Sequence, residues 1–278
     1  DEEIWLVRRH LKRKLVAYII DRGREQWKTT QVHPVQTIAS GVLLDPYALT
    51  IGFARRFATY KRANLILRDY DRLLKLVTNA RMPVQFIFAG KAHPADEPGK
   101  QMIQQVYRAV KDARFGGRLA FLEDYDMNIA RYLVQGVDVW LNTPRRPREA
   151  SGTSGMKAAL NGVLNFSVLD GWWREGYNGH NGWPIGEDIN REANAEEQDE
   201  ADALSLYETL ENEIVPLYYE QRSADNLPAD WIARVKESIR TLGAQFGTRR
   251  MLMDYVTQMY EPAIHNGIEQ GNGASEEK

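Results

Sequence analysis

Two stretches of this 278-residue chain concentrate groups that can hold an anion. The first is ARRFATYKR, residues 54–62, at the end of the apolar run ALTIGFA, residues 48–54. It puts Arg55, Arg56 and Lys61 in the turn leaving an expected strand and at the start of a helix. Amide donors, the positive helix end and cationic side chains meet there. The second stretch is PRRPREASGTSGMKAALNG, residues 144–162. Its glycines at 152 and 155 permit close backbone approach, and Ser151, Thr153 and Ser154 are capping-type residues ahead of a short helix. Lys157 falls within the first turn of that helix, where an amine in a partly dry pocket can form an imine with an aldehyde. Glu149 is placed either to bond a ligand hydroxyl or to balance Arg145, Arg146 and Arg148. Each stretch also has a plainer reading, a solvated basic face and a surface lysine, because Arg and Lys are ordinarily exposed.

The elements that must position these residues follow a repeating pattern. Strand-like runs at 48–54, 84–90, 118–122, 137–142 and 163–170 alternate with helical stretches ending near Leu76, at roughly 97–113, at 126–135 and around Met156 to Leu160. Such alternation predicts an α/β fold, a Rossmann-like parallel sheet with helices on both faces. Sheets of this kind bind ligands beyond the carboxyl ends of their strands, where the unusual residues lie. Residues 1–21 read as an amphipathic helix with Ile4, Leu11, Leu15 and Ile19 near one face and Arg8, Arg9, Lys12 and Arg13 covering the other. After 170 come a loop dense in Trp, Gly and Asn, an acidic linker around 187–202, and C-terminal helices over 203–262 with breaks at Asn226 to Pro228 and around Gly247. We place a linking helix at 1–24, a loop at 25–47, the domain with its C-terminal helices at 48–262, and a disordered tail at 263–278. With no initiator methionine, the chain reads as cut from something longer.

The composition excludes several classes of function. A formal net charge of -2 gives no global field for nucleic acid or anionic membrane. The absence of cysteine removes disulfides, thiolate metal sites and cysteine nucleophiles. Five scattered histidines without paired spacing, His93 among them, give no metal site. The apolar runs are too short to span a bilayer and no signal region opens the chain, so a cytoplasmic location is expected. Trp172, Trp173 and Trp183 are equally suited to stacking on sugar rings and to packing in a core.

Several motifs together resemble one family. EASGTSGMK at 149–157, RRFATYKR at 55–62, AGKAHP at 89–94, FLEDYDMNIA at 121–130 and LNGVLNFSVLDGWW at 160–173 are similar to the C-terminal domain of the glycogen and maltodextrin phosphorylases, in their shorter bacterial and archaeal form. The resemblance runs from about residue 1 to residue 262. It implies the C-terminal half of a two-domain GT-B glycosyltransferase that uses pyridoxal 5'-phosphate. Lys157 then matches the lysine that holds the cofactor as a Schiff base, and Thr153 and Ser154 the residues at its phosphate. Arg55 matches a basic residue beside that phosphate, and Tyr125 a residue near the cofactor. Arg56 and Lys61 match the pair that binds substrate phosphate. Tyr60 and Glu149 match residues on the glucosyl hydroxyls, with Ser151 and Gly152 adding backbone contacts. Arg56, Lys61 and Lys157 are the catalytic set this implies. Where animal enzymes have Gly-Asn this chain has Ser154-Gly155, and Arg55 stands for a lysine.

The implied reaction is retaining phosphorolysis of an α-1,4-glucan to glucose 1-phosphate, with glucan and inorganic phosphate as partners. A missing N-terminal domain would supply further contacts, and a homodimer of the full-length enzyme stays open. Two rivals remain. One is a nucleotide-sugar-dependent glycosyltransferase of the glycogen synthase type, which would not need Lys157. The other is a non-catalytic remnant that binds glucan or cofactor.

Overall fold

The computed structural model describes residues 1–29, 43–186, 194–220 and 222–265. Six strands form one parallel sheet: β1 (Leu49–Ala54), β2 (Val84–Ala89), β3 (Leu119–Leu122), β4 (Val139–Asn142), β5 (Leu164–Val168) and β6 (Gly182–Ile185), in the spatial order β3-β2-β1-β4-β5-β6. β1 and β2 are buried at every position, as expected for strands covered on both faces. The order reverses between β1 and β4, where Ile51 pairs with Val139 and Gly52 with Trp140. Ligands bind at such a switch point in doubly wound sheets.

Alternate side chains feed two cores. Ile51, Phe53, Phe86, Phe88, Val139 and Leu141 pack on one face with α2 (Tyr70–Thr78), α3 (Glu97–Lys111), α7 (Ala195–Thr209) and α9 (Ala229–Gln245). Ala54, Ile87, Ala89 and Trp140 pack on the other with α1 (Glu2–Thr29), α4 (Met127–Gly136) and α5 (Thr153–Leu160). The period of two along each strand thus accounts for helices on both sides. The first helix runs beyond the predicted 1–21, to Thr29. Of the predicted loop 25–47, residues 30–42 lie outside the described residues; so do 187–193 of the acidic linker and 266–278 of the tail.

Three expectations change. The run 171–183, read as a loop, holds α6 (Trp172–Gly176) and the start of the edge strand β6. The described part of the acidic linker is largely helix. Asn194 caps α7 by accepting from the amides of Glu196 and Glu197, and the Glu197 side chain accepts from the Asn194 amide. The expected outward cationic face of α1 is also wrong at two positions, since Arg8 and Lys12 are buried. Arg8 donates to the carbonyls of Gln135, Val137 and Asn161. Those groups end α4 and α5, where helix carbonyls lack partners. Lys12 Nζ donates to Asp138 Oδ2 at 2.5 Å, to the Ala48 carbonyl at 2.9 Å and to the Tyr218 hydroxyl at 2.7 Å. Desolvation lowers the pKa of Lys12, and the Asp138 carboxylate opposes that shift. Gly136 makes this close docking of α1 feasible, because a Cβ there would sit 2.5 Å from Leu15 Cβ.

Asp138 also accepts from the Thr50 amide at 2.8 Å, so it ties α1 to two strands. Replacing Asp138 with alanine would leave the Lys12 charge buried without its counter-ion. Urea unfolding should show a loss of about 3–5 kcal/mol. A loss below about 1 kcal/mol would mean that α1 is held by its apolar contacts alone.

Candidate functional site

The carboxyl ends of β1 and β4 deliver the candidate residues to the switch point. Arg55 follows the last residue of β1 and Asn142 is the last residue of β4. The Arg55 guanidinium donates to Asn142 Oδ1 and to Glu149 Oε2, the latter at 2.6 Å, and all three side chains are buried. Lys61 Nζ lies 3.8 Å from the other Glu149 oxygen. Tyr60 sits under the same ammonium, its ring centroid 5.3 Å from Lys61 Nζ. Burial lowers the Arg55 pKa, with Glu149 opposing, and a guanidinium keeps its charge regardless. Tyr125, beyond β3, is close enough for Arg55 to act on it electrostatically. Burial raises the Tyr125 pKa and the Arg55 charge partly offsets the rise.

The glycine turn adjoins this cluster. Gly152 is the N-cap of α5, with φ 90°, and a Cβ there would lie 3.7 Å from Glu149 Oε1. Gly155 admits no Cβ at all, since one would sit 2.6 Å from Asn165 Oδ1 and 2.9 Å from the Trp172 ring. Ser151 fixes the turn by accepting from the Trp172 amide at 2.9 Å. Asp170, just past β5, accepts from the amides of Glu149 and Gly171. The indole of Trp140 donates to Ser154 Oγ at 3.3 Å.

The structure therefore brings Arg55, Tyr60, Lys61, Tyr125, Glu149 and Gly152 together. Thr153, Ser154 and Lys157 lie on the first turns of α5, next to them in the chain. Glu149 pairs with Arg55 and Lys61, whereas Arg145 and Arg146 pair with Asp199 and Asp202. The cations that Glu149 balances are thus Arg55 and Lys61. Arg56 and Lys157 are exposed. The described residues accordingly do not build a partly dry pocket for Lys157. The reason is local: α5 turns Gly155, Ala158 and Ala159 into the core, which leaves the Lys157 side outward.

Trp172, Trp173 and Trp183 are buried at 3%, 0% and 1% exposure, which makes them core residues with no open face for a sugar ring. His93 is exposed, and no cluster of metal-binding side chains occurs among the described residues. Sequence reasoning missed Asn142, Asp170 and the carboxylates of α7. Asn142 and Asp170 did leave a signal, a polar residue closing an otherwise apolar strand run at its carboxyl end.

One buried donor at the cluster is unmatched. Arg55 Nε has no hydrogen-bond partner among the described residues. Buried guanidinium nitrogens are ordinarily satisfied, so this one leaves a donor open at the cluster among the described residues. Together with the α5 N-terminus and its glycine cap, it fits an oxyanion.

A doubly wound α/β domain with a buried cluster of Arg55, Asn142 and Glu149 at its switch point is the class that this fold and site define. The family described as carbohydrate phosphorylase matches residues 7–177. A glycogen phosphorylase of Aquifex aeolicus is 51% identical over 95% of this chain and 37% of its own length. A maltodextrin phosphorylase of Thermococcus litoralis is 50% identical over 96% of this chain and 31% of its own length. A glycogen phosphorylase of Mycobacterium tuberculosis is 44% identical over 95% of this chain and 30% of its own length. The chain belongs to the carbohydrate phosphorylase family, and it spans about a third of the length of these relatives. No helix among the described residues is long and apolar enough to cross a membrane.

Proposed function

We propose that this chain is the cofactor-carrying, C-terminal part of an α-1,4-glucan phosphorylase. In this reading it is half of a two-domain GT-B enzyme that moves a glucosyl residue from a glucan end to inorganic phosphate, with retention, giving glucose 1-phosphate. Residues 48–262 form its catalytic domain, the first 24 residues link it to an N-terminal domain, and its compartment is the cytoplasm. The observation that carries the reading is the unmatched Arg55 Nε beside a glycine-capped helix, within a chain half-identical to a glycogen and a maltodextrin phosphorylase.

The residues present fit pyridoxal 5'-phosphate, on which the family generally depends. Lys157 offers the amine, one turn into α5. Thr153 and Ser154 offer the helix N-terminus to the phosphate group, Arg55 its spare Nε, and Tyr125 the adjoining ring. When bound, the group supplies a phosphate that exchanges protons with the substrate phosphate. This chain's own residues do the rest. Arg56 and Lys61 hold the substrate phosphate against the glucosyl carbon. Tyr60 and Glu149 take the sugar hydroxyls, with Ser151 and Gly152 adding backbone contacts. Dense, fixed cationic charge stabilises two close phosphates and the oxocarbenium-like transition state, and no pair of glycosidase carboxylates is needed.

In this reading the exposed Lys157 and Arg56 are shielded from water by the part of the enzyme beyond this chain. The test compares the full-length polypeptide with the isolated chain, assaying glucose 1-phosphate release from maltodextrin and phosphate. The full-length protein should turn over and the isolated chain should not. Phosphorolysis by the isolated chain would refute the need for a second domain. Glucosyl transfer from a nucleotide sugar, without phosphorolysis, would refute the reading itself.

A further inference from the structure

The acidic run that opens α7 has no place in the proposed chemistry, yet it grips the loop that carries it. The turn 55–62 ends at Arg62, which is 2% exposed and takes a left-handed backbone with φ 45°. Three consecutive carbonyls of this turn are held by the segment after β4. The Tyr60 carbonyl accepts from the Arg145 amide at 2.6 Å, and those of Lys61 and Arg62 accept from Thr143 Oγ1 at 3.0 and 3.1 Å. Arg62 reaches back across the same segment, donating to the Thr143 carbonyl at 2.9 Å and the Pro144 carbonyl at 2.8 Å.

The far side of the Arg62 guanidinium is closed by α7. Asp199 Oδ1 accepts from it at 2.9 Å and Asp202 Oδ2 at 2.7 Å. Asp199 also takes a two-pronged contact from Arg145, at 3.1 and 2.6 Å, and Asp202 Oδ1 lies 3.3 Å from Arg146. Asp202 is 1% exposed. Gly186, just past β6, leaves it room, since a Cβ there would lie 2.2 Å from Asp202 Oδ1. Four guanidiniums, of Arg62, Arg145, Arg146 and, at 3.8 Å, Arg68, thus share these two carboxylates around the buried Arg62–Asp202 pair, so losing one carboxylate leaves neighbouring cations under-compensated.

We propose that Asp199 and Asp202 are positioning residues for the anion-binding turn at 55–62, acting through Arg62 to hold Lys61 and Arg56 in place. The inference deepens the functional reading above and rests on it, since the turn is what grips the substrate phosphate there. Both carboxylates are engaged by arginines of the surrounding loops. Their contribution is geometric, and a misplacement of about 1 Å in a positioned group carries a large kinetic cost.

The test uses Asp202→Asn in the full-length polypeptide, with Asp199→Asn as a second variant should the first fail to fold. Glu211→Gln is the control, because it breaks the Arg72–Glu211 pair further along the same helical segment without touching the turn. For Asp202→Asn, the KM for inorganic phosphate should rise about tenfold while the KM for glucan stays within about twofold. Amide hydrogen exchange across 55–62 should quicken in that variant and stay at the wild-type rate in Glu211→Gln. A phosphate KM within about twofold of wild type, or a fall in kcat alone, would overturn the inference. If the wild type shows no phosphorolysis, the functional reading fails separately. The exchange rate of 55–62 then decides by itself whether the clamp holds the turn.

Discussion

Replacing Lys157 with arginine in the full-length polypeptide is expected to abolish phosphorolysis, by about a thousandfold or more, while leaving the fold intact. Arginine keeps the positive charge on the first turns of α5, so the local field at the helix N-terminus barely changes. It lacks the amine that can join an aldehyde carbon, so the cofactor would no longer be tethered. Lys157 is exposed, and its side chain makes no hydrogen bond or ion pair among the described residues. The change should accordingly shift unfolding free energy by no more than about 0.5 kcal/mol. That separation makes the variant informative, because a lost activity cannot then be blamed on lost structure. Retention of a tenth or more of the wild-type rate would remove Lys157 from the chemistry.

Arg55→Leu is expected to have the second largest effect, and a mixed one. The variant leaves Glu149 buried with only Lys61, at 3.8 Å, to compensate it. Urea unfolding should register a loss of about 3 kcal/mol, the scale of a broken buried pair. Turnover should fall by about a hundredfold, since a fixed cation at the phosphate site is gone. The double variant Arg55→Leu with Glu149→Gln distinguishes the two effects. Neutralising Glu149 removes the stranded charge, so stability should return in part while activity stays lost. Recovery of both would show that Arg55 serves the fold and not the ligand.

The structure also shows which physical signals a sequence carries. Five of six strands were legible because each is a predominantly apolar run bounded by turn residues, such as VQFIFAG before Lys91. β6 was not, for it has four residues, includes Pro184 and follows a Gly- and Asn-rich stretch, all features of an edge. The start of α7 was masked by its acidity, although Asn194 and Glu197 spell a capping box. Burial of Arg8 and Lys12 could not be read from helical periodicity. The Asp138 that compensates Lys12 lies 126 residues away, and nothing local announces that pairing.

The candidate site divides the same way. Its residue types were legible because an anion cradle needs glycines, cap residues and cations close along the chain. The division of labour among the arginines was not. Arg55 faces the switch point, Arg62 serves as an anchor, and Arg145 and Arg146 belong to the carboxylates of α7. Those assignments arise from strand order and loop packing, which bring residues 55, 142 and 149 together only after the sheet has formed.

The central claim is that Lys157 carries the cofactor, and reductive trapping tests it most directly. The full-length protein, purified with pyridoxal 5'-phosphate, is treated with borohydride, digested and mapped by mass spectrometry. A pyridoxyl-phosphate label confined to the peptide that contains Lys157 is the predicted result. An unlabelled Lys157, with the label absent or spread over other lysines, would contradict it.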